Sequence, residues 1–524
     1  MEGTRRLYVW GQNDDGQLGL PPKPLAPLPS PYGHGQVGLP LSPKAEEDPS
    51  YYSFGGVEQS IPTPTICYAL THTGVTQVSC GSRHTLALVS GGIVYSWGWG
   101  ARGQLGHGTT KTCCEPRVIQ ALADVGKAQA ISAGGIHSAV IISSEGSKPE
   151  APTVWTFGAN DFGQLGVKEE EEAALLPSKV PKQLPRAIRA IRAISPNSLT
   201  ATKVSCGGMH TAAVSPGGEL FTWGRCDSGQ LGIGYDWVHQ HHNANVRKSS
   251  MGIPYPQKVQ GEMRKKASIS LSDLTNHITF RAFHTAALCC DGTVYTFGKE
   301  DYGVLSCSTK GLISGGLTLP HLVCLGDDEV VAPSFLPPLL QQGNEFGVKG
   351  KAVACGGWHR FLVLSSGGIP YACGRGEYGR LGLGDECSRR VLEPIEINQT
   401  RGIVWHHDPP SCNAVQLLRL ICLYACTYTS TDVATGVIKS IACGGSHSLM
   451  LTESGVVYSF GRAHDGRLGL VMDRSDSPER NREIGEVVAP KAVQTLSIQG
   501  WSVESIACGG KHSAAVLVKD DIGA

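Results

Sequence analysis

The 524-residue sequence has no excess of charge of either sign, no apolar run long enough to cross a membrane and no C-x-x-C pair. Basic and acidic residues number 45 each, so the overall charge gives no argument for binding nucleic acid or acidic membranes. The most apolar run, residues 414–426, is too short to span a bilayer and contains Arg419. The missing C-x-x-C pair removes the commonest zinc signature, and 18 cysteines in so long a chain do not resemble a small secreted disulfide framework.

The sequence also lacks the marks of secretion and of catalysis. Its first residues, MEGTRRLYVWG, contain no apolar signal-peptide segment, and a first strand is predicted to begin by about Leu7. It contains no serine nucleophile elbow and no phosphate-binding loop with its lysine. We therefore expect a soluble protein of the cytoplasm, the nucleus or both, which is not an enzyme and has neither a cofactor nor a metal site.

Glycine, by contrast, is abundant, with 67 residues, and two glycine-containing texts repeat along the chain. The first text, as in VSCGGMHT, ends in a histidine and occurs seven times, with His84, His137, His210, His284, His359, His447 and His512. The second, as in LFTWGRCDSGQLG, also occurs seven times, with its WG-type glycine at Gly11, Gly98, Gly158, Gly224, Gly298, Gly374 and Gly461. One copy of the second text stands at the front of the chain, and the last copy of the first text stands at the end.

This circular offset predicts the architecture. Each unit reads as short alternating strands separated by glycine turns, with a further strand after a proline, as in EPRVI at 115–119. Four antiparallel strands per unit describe an all-β, seven-bladed β-propeller in which the N-terminal and C-terminal strands share one blade. The chain is then a single domain, 1–524, with long loop insertions at about 20–64, 167–200, 235–275, 306–350 and 398–436. The last insertion matches no repeat element and is either an unusual loop or an error in the gene prediction.

The repeated residues have a structural interpretation. Paired glycines are expected where blades converge too closely for a side chain, or where φ must be positive. The seven histidines are spaced around a ring, so we interpret them as polar groups that satisfy buried backbone atoms between blades rather than as metal ligands or acid–base groups. Cysteine stands four residues before five of these histidines, and we interpret it as a small buried apolar residue.

These texts resemble the regulator of chromosome condensation repeat, and the resemblance covers the chain apart from its insertions. It implies that family's seven-bladed propeller. The family includes the plant ultraviolet-B photoreceptor, whose chromophore tryptophans lie two places before the repeated histidine. This chain has other residues there, which argues against that subtype: Ser82, Gly135, Gly208, Ala282, Gly357, Gly445 and Gly510.

A second ring of residues lies in the loops between WG and GQLG. Acidic residues stand two places before the loop glycine in five copies: Asp14, Asp161, Asp227, Asp301 and Glu377. They are either turn residues that cap their own backbone or an acidic rim for a partner, with aromatic anchors beside them at Phe162, Tyr302 and Tyr378. The repeat around His284 is degenerate, which indicates either a distorted blade or a functional change.

Two functions follow from the resemblance. The first is a protein-interaction scaffold or regulator without a chemical step of its own. The alternative is guanine-nucleotide exchange on a Ran-like small GTPase, as the family's founding member performs with a wedge from one blade, although no such wedge is placed on this sequence. The expected partner is a protein rather than a membrane. The balanced charge and the absence of the founding member's basic N-terminal tail argue against a nucleic-acid or chromatin role.

Overall fold

Strands of four to eight residues make up nearly all of the regular structure that the computed structural model describes. The described residues are 5–20, 60–143, 151–166, 199–234, 252–259, 277–281, 284–300, 302–303, 305, 316–323, 349–357, 360–397, 437–471 and 485–520. Within them the strands form seven antiparallel sheets, which we call blades 1 to 7. The predicted seven-bladed β-propeller is confirmed.

The blades follow the order of the chain. Blade 1 contains β3 (Val75–Cys80), β4 (His84–Val89), β5 (Ile93–Gly98) and β6 (Cys113–Val118). Blade 2 contains β7 (Lys127–Ala133), β8 (His137–Ser143) and β9 (Thr153–Gly158). Blade 3 contains β10 (Lys203–Cys206), β11 (His210–Val214), β12 (Leu220–Arg225) and β13 (Gly252–Lys258). Blade 4 contains β14 (His277–Arg281), β15 (His284–Leu288), β16 (Val294–Lys299) and β17 (Gly316–Leu322). Blade 5 contains β18 (Gly350–Gly356), β19 (Arg360–Ser365), β20 (Pro370–Gly374) and β21 (Arg389–Pro394). Blade 6 contains β22 (Ile438–Cys443), β23 (His447–Thr452), β24 (Val457–Arg462) and β25 (Glu486–Ala492).

Blade 7 joins the two ends of the chain. It contains β26 (Trp501–Cys508), β27 (His512–Lys519), β1 (Arg5–Gln12) and β2 (Ser60–Ile66), in the spatial order β2-β1-β27-β26. β1 pairs antiparallel with β27 from Arg5 opposite Val518 to Gly11 opposite His512. The predicted pairing of the N-terminal and C-terminal strands in one blade is therefore confirmed.

Within the described residues, helical structure is confined to single turns between the strands. The α-helical turn α1 spans Gln120–Ala123, and 3-10 turns span Tyr68–Leu70, Glu377–Gly379, His464–Gly466 and Gln494–Leu496. Three of these five turns follow the last strand of a blade, where the chain crosses to the next blade.

The second strand of each blade forms the core because it is covered on every side. All six residues of β4 and all six of β23 are buried. Each of these strands lies between two strands of its own sheet, while neighbouring blades cover both faces of the sheet, so residues on both faces are buried instead of alternating with exposed ones. The packing between blades is apolar too: Leu7 and Val9 of blade 7 lie in one cluster with Val78 and Trp97 of blade 1.

The fourth strands lie at the outer edge and all contain proline. This holds for the six that the structure describes: β2, β6, β13, β17, β21 and β25. An edge strand has one unpaired side, so the missing N–H of proline costs little there. These strands also narrow three of the predicted insertions, because β2 occupies part of 20–64, β13 part of 235–275 and β17 part of 306–350.

Blade 4 keeps the regular pairing despite its degenerate repeat. His284 lies opposite Gly298 in β15 and β16, as His84 lies opposite Gly98 in blade 1. Blade 2 is described with three strands, and beyond them Thr200 forms a single bridge with Thr153. Residues 167–198, which make up most of the predicted insertion at about 167–200, lie outside the described residues.

The paired glycines line the propeller axis, where backbones of adjacent blades touch. The N–H of Gly135 donates to the carbonyl of Gly207 at 2.9 Å, and the N–H of Gly510 donates to that of Gly81 at 3.0 Å. A Cβ atom on Gly135 would lie 2.5 Å from the carbonyl oxygen of Gly208. Neither Gly135 nor Gly510 has a positive φ. Close approach, rather than backbone conformation, is therefore the reason for glycine at these positions.

We expect Gly135→Ala to lower the free energy of unfolding by about 1–3 kcal/mol, because the methyl group forces two blades apart. Gly367 is the matched control, since a Cβ atom there would meet nothing closer than 3.9 Å. Gly367→Ala should change the stability by less than about 0.5 kcal/mol. Denaturant unfolding of both variants checks this, and equal effects would contradict the role of close approach.

The cysteines before the repeated histidines are buried, as predicted. Burial raises the pKa of the Cys206 thiol to about 12, with a smaller opposing effect from Ser132. Two of these thiols also lie near a carbonyl of the preceding blade: Cys443 Sγ is 3.5 Å from the oxygen of Ala354, and Cys508 Sγ is 3.6 Å from that of Ala442. At these two positions the cysteine therefore makes a weak polar contact between blades in addition to its apolar packing.

Candidate functional site

One face of the propeller carries those described residues that the sequence singles out as partner contacts. Because the strands are antiparallel, the turn after the first strand and the loop after the third strand of each blade lie on the same face. We call this the loop face. We call the segments that follow the WG-type glycines the rim loops: 12–19, 99–106, 159–166, 225–232, 299–306, 375–382 and 462–469. Of the predicted contacts, Asp301 lies outside the described residues.

The repeated histidines form a hydrogen-bonded ring beneath the loop face. In five cases Nε2 lies 2.8–3.2 Å from the hydroxyl that follows the histidine of the next blade. The pairs are His84–Ser138, His137–Thr211, His210–Thr285, His447–Ser513 and His512–Thr85. His284 is also fully buried, and His359 lies outside the described residues.

Each hydroxyl that contacts a histidine of this ring also donates a hydrogen bond to a backbone carbonyl of a rim loop. Thr211 Oγ1 donates to the carbonyl of Gln164 at 2.7 Å, and Thr85 Oγ1 donates to that of Gln17 at 2.8 Å. Since the hydroxyl uses its one hydrogen there, it accepts the hydrogen bond from histidine, which places the imidazole proton on Nε2. The histidines thus contact a hydroxyl that in turn satisfies a backbone carbonyl of a rim loop.

The acids of the rim loops are held by side chains beside them. Arg102 forms an ion pair with Asp161 of the next loop. Within single loops, Arg225 binds Asp227 at 2.5 Å and Arg375 binds Glu377 at 2.5 Å, while Asp14 accepts from the amide of Gln12. Side-chain hydrogen bonds from Arg225 and Gln230 outweigh burial and lower the pKa of Asp227. The rim therefore presents paired charges, not an uncompensated row of carboxylates.

The three predicted aromatic residues each lie against an arginine of the next blade. The guanidinium carbon of Arg225 is 5.0 Å from the ring centre of Phe162. Arg375 lies 4.9 Å from Tyr302, and Arg462 lies 4.9 Å from Tyr378. At these distances each cation interacts with the aromatic face.

The sequence reasoning missed these three arginines. They share one position, directly after the WG-type glycine, and read as WGR, CGR and FGR in the sequence. That recurrence is a signal that could have found them. It pairs a rim aromatic residue of one blade with a rim cation of the next.

Six of the seven rim loops are of two kinds, which differ in the residue after the loop glycine. In four loops this residue is glutamine, whose Oε1 accepts the backbone N–H of the residue before the glycine at 2.8–2.9 Å: Gln17, Gln104, Gln164 and Gln230. In two loops it is arginine. Arg380 Nε donates to the carbonyl of Glu377 at 2.6 Å, and Arg467 Nε donates to that of His464 at 2.8 Å.

Replacing the hydrogen-bond acceptor glutamine by the donor arginine reverses the peptide unit that precedes the residue before the loop glycine. Glutamine draws the N–H of that unit inward, whereas arginine draws its carbonyl inward, so φ of the next residue changes sign. Tyr378 and Asp465 have φ of 63° and 62°, and Tyr302 has 62° in a loop with valine at 304. No other non-glycine residue in the described ranges has a positive φ. This left-handed conformation costs a tyrosine about 1 kcal/mol.

The strain at Tyr302 has a measurable signature. Tyr302→Ala and Tyr302→Gly both remove the ring, but only glycine relieves the left-handed backbone, so the glycine variant should be more stable by about 1 kcal/mol. Phe162, which lies in a glutamine-type loop with ordinary φ, is the control. There the alanine variant should be more stable than the glycine variant by about 0.5–1 kcal/mol. Denaturant unfolding measures both differences, and the same order at both positions would contradict the assignment.

The described residues also show whether the chain has a clustered metal site or a helix that could span a membrane. Among these residues no group of three or more histidine, cysteine, aspartate or glutamate side chains is arranged to hold a metal ion. None of the described helical segments has the length and apolar character that crossing a bilayer requires.

The repeats themselves match known sequences. Two sequence profiles, both described as the regulator of chromosome condensation (RCC1) repeat, cover half of the chain between them. One matches residues 91–141, 153–214, 217–272 and 454–516, and the other matches 75–104 and 438–467. The chain belongs to the regulator of chromosome condensation repeat family.

Curated relatives of the chain include two plant proteins of this family. The ultraviolet-B receptor UVR8 of Arabidopsis thaliana is 27% identical over 501 residues, which cover 95% of this chain and 79% of the receptor. The mitochondrial RCC1 domain-containing protein RUG3 of the same plant is 25% identical over 475 residues, which cover 89% of this chain and 80% of that protein.

Two solved structures share the fold of this chain. Human WBSCR16 matches with a TM-score of 0.63 and 18% identity over 99% of this chain and all of that one. Prp20p of Saccharomyces cerevisiae, described with its binding to Gsp1p and histones, matches with a TM-score of 0.59 and 17% identity over 99% of this chain and 92% of that one. At this level of identity the likeness shows the common architecture of the propeller family.

Proposed function

We propose that the chain is a non-enzymatic interaction scaffold or regulator of its family, which binds a protein partner through the loop face. One observation carries this proposal. Tyr302 is 47% exposed although it is an aromatic residue held in a strained conformation, and Arg375 lies against its ring. Strain retained at an exposed aromatic residue is typical of binding sites, and tyrosine and arginine are the residues that most often dominate protein interfaces.

The neighbouring residues support the same role. Tyr378 occupies the equivalent position one blade further and is half-buried, so the two tyrosines and their arginines extend over blades 4 to 6. The paired acids Asp161, Asp227 and Glu377 then give the rim charges of both signs, which select a partner more than they strengthen its binding.

The test is affinity capture with variants on opposite faces of the propeller. Tyr302→Ala combined with Tyr378→Ala should lose proteins that the unaltered chain captures from cell extract. Tyr68→Ala is the matched control, since Tyr68 is 73% exposed and follows the last strand of blade 7 on the other face. Retention of the same proteins by the double variant, with melting temperatures unchanged in all three, would contradict the proposed surface.

Guanine-nucleotide exchange on a Ran-like GTPase is the second candidate. It is supported by the structural likeness to Prp20p, which is described as binding Gsp1p. The measurement is release of a fluorescent guanine nucleotide from Ran and a panel of other small GTPases, with and without the chain. The scaffold proposal expects no acceleration, whereas catalytic acceleration would favour the exchange factor and direct mutagenesis to the loop face.

We place the protein in the cytoplasm, the nucleus or both, with a protein partner and neither a membrane nor nucleic acid as ligand. The balanced charge supports a partner that is neither an acidic membrane nor a nucleic acid. The name of the relative RUG3 assigns that protein to mitochondria. Imaging of the tagged full chain against markers for the three compartments decides between them, and a mitochondrial signal would contradict the proposed location.

A further inference from the structure

Arg462 stands in a cluster of arginines on the rim of blades 5 and 6. Its guanidinium lies 4.9 Å from the ring centre of Tyr378, and that of Arg380 lies 5.2 Å from the same ring. Arg467 lies in the same rim loop as Arg462. Arg380 and Arg467 are only 1% and 2% exposed, so their charges are fixed within the loops, whereas Arg462 is half-buried.

The carboxylates of this sector are engaged elsewhere. Asp465 binds Arg467 at 2.5 Å, and Glu377 binds Arg375 at 2.5 Å. Within the described ranges no carboxylate lies within ion-pair distance of Arg462, whose polar contact is the Nδ1 atom of His464 at 3.5 Å. Burial lowers the pKa of Arg467 although Asp465 opposes this, and the charge of Arg462 adds a smaller lowering effect. Arg462 therefore adds a positive charge that none of the described carboxylates of this sector pairs with.

The equivalent arginines of other blades show what is different here. Arg225 and Arg375 each bind an acid two residues further along the chain, Asp227 and Glu377. At that place in the loop of blade 6 the chain has His464. The change removes the internal carboxylate and leaves the guanidinium of Arg462 stacked on an aromatic ring with its N–H edge open to an external acceptor.

We propose that Arg462, held on the ring of Tyr378, forms a binding site for an oxyanion, a carboxylate or a phosphate, carried by a protein partner. A guanidinium stacked on an aromatic ring is held in place and offers parallel N–H donors that match the geometry of both groups. Arg380 and Arg467 add positive charge from within the loops. The inference rests on the proposed function, because it gives the chemistry that one sector of the loop face recognises.

The test uses three fluorescein-labelled Gly-Ser peptides of equal length that carry three glutamates, three phosphoserines or three glutamines. Fluorescence anisotropy at low ionic strength should show saturable binding of the two anionic peptides and none of the glutamine peptide. Arg462→Gln should weaken this binding by about tenfold or more, as expected for loss of a charged hydrogen-bond donor. Tighter binding of the phosphoserine peptide would identify phosphate as the ligand, and equal or tighter binding of the glutamate peptide would identify carboxylate.

Two further variants make the test specific. His464→Asp restores the acid that the other loops have, so it should occupy Arg462 and abolish peptide binding while the melting temperature is kept. Arg225→Gln removes an arginine that already has its acid and should change the affinity less than about twofold. Equal losses in the Arg462 and Arg225 variants, no loss in the His464 variant, or no saturable binding would overturn the inference.

This experiment separates the site from the function. If Arg462→Gln leaves peptide binding unchanged while the tyrosine double variant still loses captured proteins, the oxyanion site is wrong and the loop-face proposal stands. If the peptides bind as expected but the tyrosine variant keeps every captured protein, the site stands and the wider surface is wrong.

Discussion

Acidification from pH 7.5 to pH 5 should lower the free energy of unfolding by about 4 kcal/mol through two residues alone, His137 and His210. Burial lowers the pKa of each to about 3. An unfolded histidine has a pKa of about 6.5, so each contributes about 2 kcal/mol of this loss. That is a large fraction of the stability of an ordinary domain.

The direction of the effect follows from which state binds the proton first. Between about pH 6.5 and pH 3 the unfolded chain protonates these histidines, whereas the folded chain does not. Their neutral form is therefore a source of stability that is complete above pH 6.5 and is lost as the pH falls toward 3. Inside the propeller, each Nε2–H already donates to a threonine hydroxyl, at 2.9 Å for His137 and 3.2 Å for His210.

Denaturant unfolding at pH 7.5, 6.5, 5.5 and 5.0 measures this dependence. His137→Gln should be less stable than the unaltered chain at pH 7.5, yet should lose about 2 kcal/mol less on acidification to pH 5. His464→Gln is the control, because His464 is exposed on a rim loop. A flat stability between pH 7.5 and 5, or an undiminished loss in the His137 variant, would show that the ring histidines are not held neutral by burial.

The architecture could be predicted from the sequence because each copy of the repeat carries the same pattern of strands and turns. Seven copies of the histidine text fixed the number of blades, and the displaced copy at Leu7–Gly19 fixed the closure. Even in blade 4, where the glycine pair is missing, His284 keeps its place opposite Gly298. The partner of each strand is decided by the repeat as a whole, so single departures from the text do not change the pairing.

The chemistry of the rim could not be predicted in the same way. GQLG and GRLG look like variants of one motif, but glutamine at this position accepts a hydrogen bond and arginine donates one, which reverses a peptide unit and the φ of Tyr378. The stacking of Arg462 on Tyr378 joins residues of two blades, so neither loop sequence contains it alone. Contacts between blades depend on which loops are neighbours and on where their side chains point. The repeat predicts the order of the loops but not the directions of their side chains.

Removal of residues 1–19 should abolish the cooperative folding of the whole propeller. The segment provides β1, which lies between β27 and β2, and the first rim loop, whose carbonyl at Gln17 accepts bonds from Thr85 and Trp97 of blade 1. Four large apolar side chains of the segment are fully or almost fully buried: Leu7, Val9, Trp10 and Leu18. Their burial stabilises the fold by about 6–12 kcal/mol, which is comparable with the entire stability of a domain.

A graded series tests the closure without removing the strand. Trp10→Ala should cost about 3–5 kcal/mol, because this side chain is buried between blades 6 and 7 and its Nε1 donates to the carbonyl of Arg467 at 3.0 Å. Arg5→Ala should cost less than about 1 kcal/mol, since its ion pair with Glu504 is partly exposed. Both values come from denaturant unfolding monitored by fluorescence.

The deciding measurement is rescue in trans. A synthetic peptide of residues 1–19, added to the truncated chain, should restore cooperative melting in proportion to its concentration, because it can re-form β1 between β27 and β2. The same peptide with alanine in place of Trp10 should rescue poorly. A truncated chain that melts like the full one, without peptide, would mean that the first strand does not close the propeller and that the other six blades are stable with an open seventh.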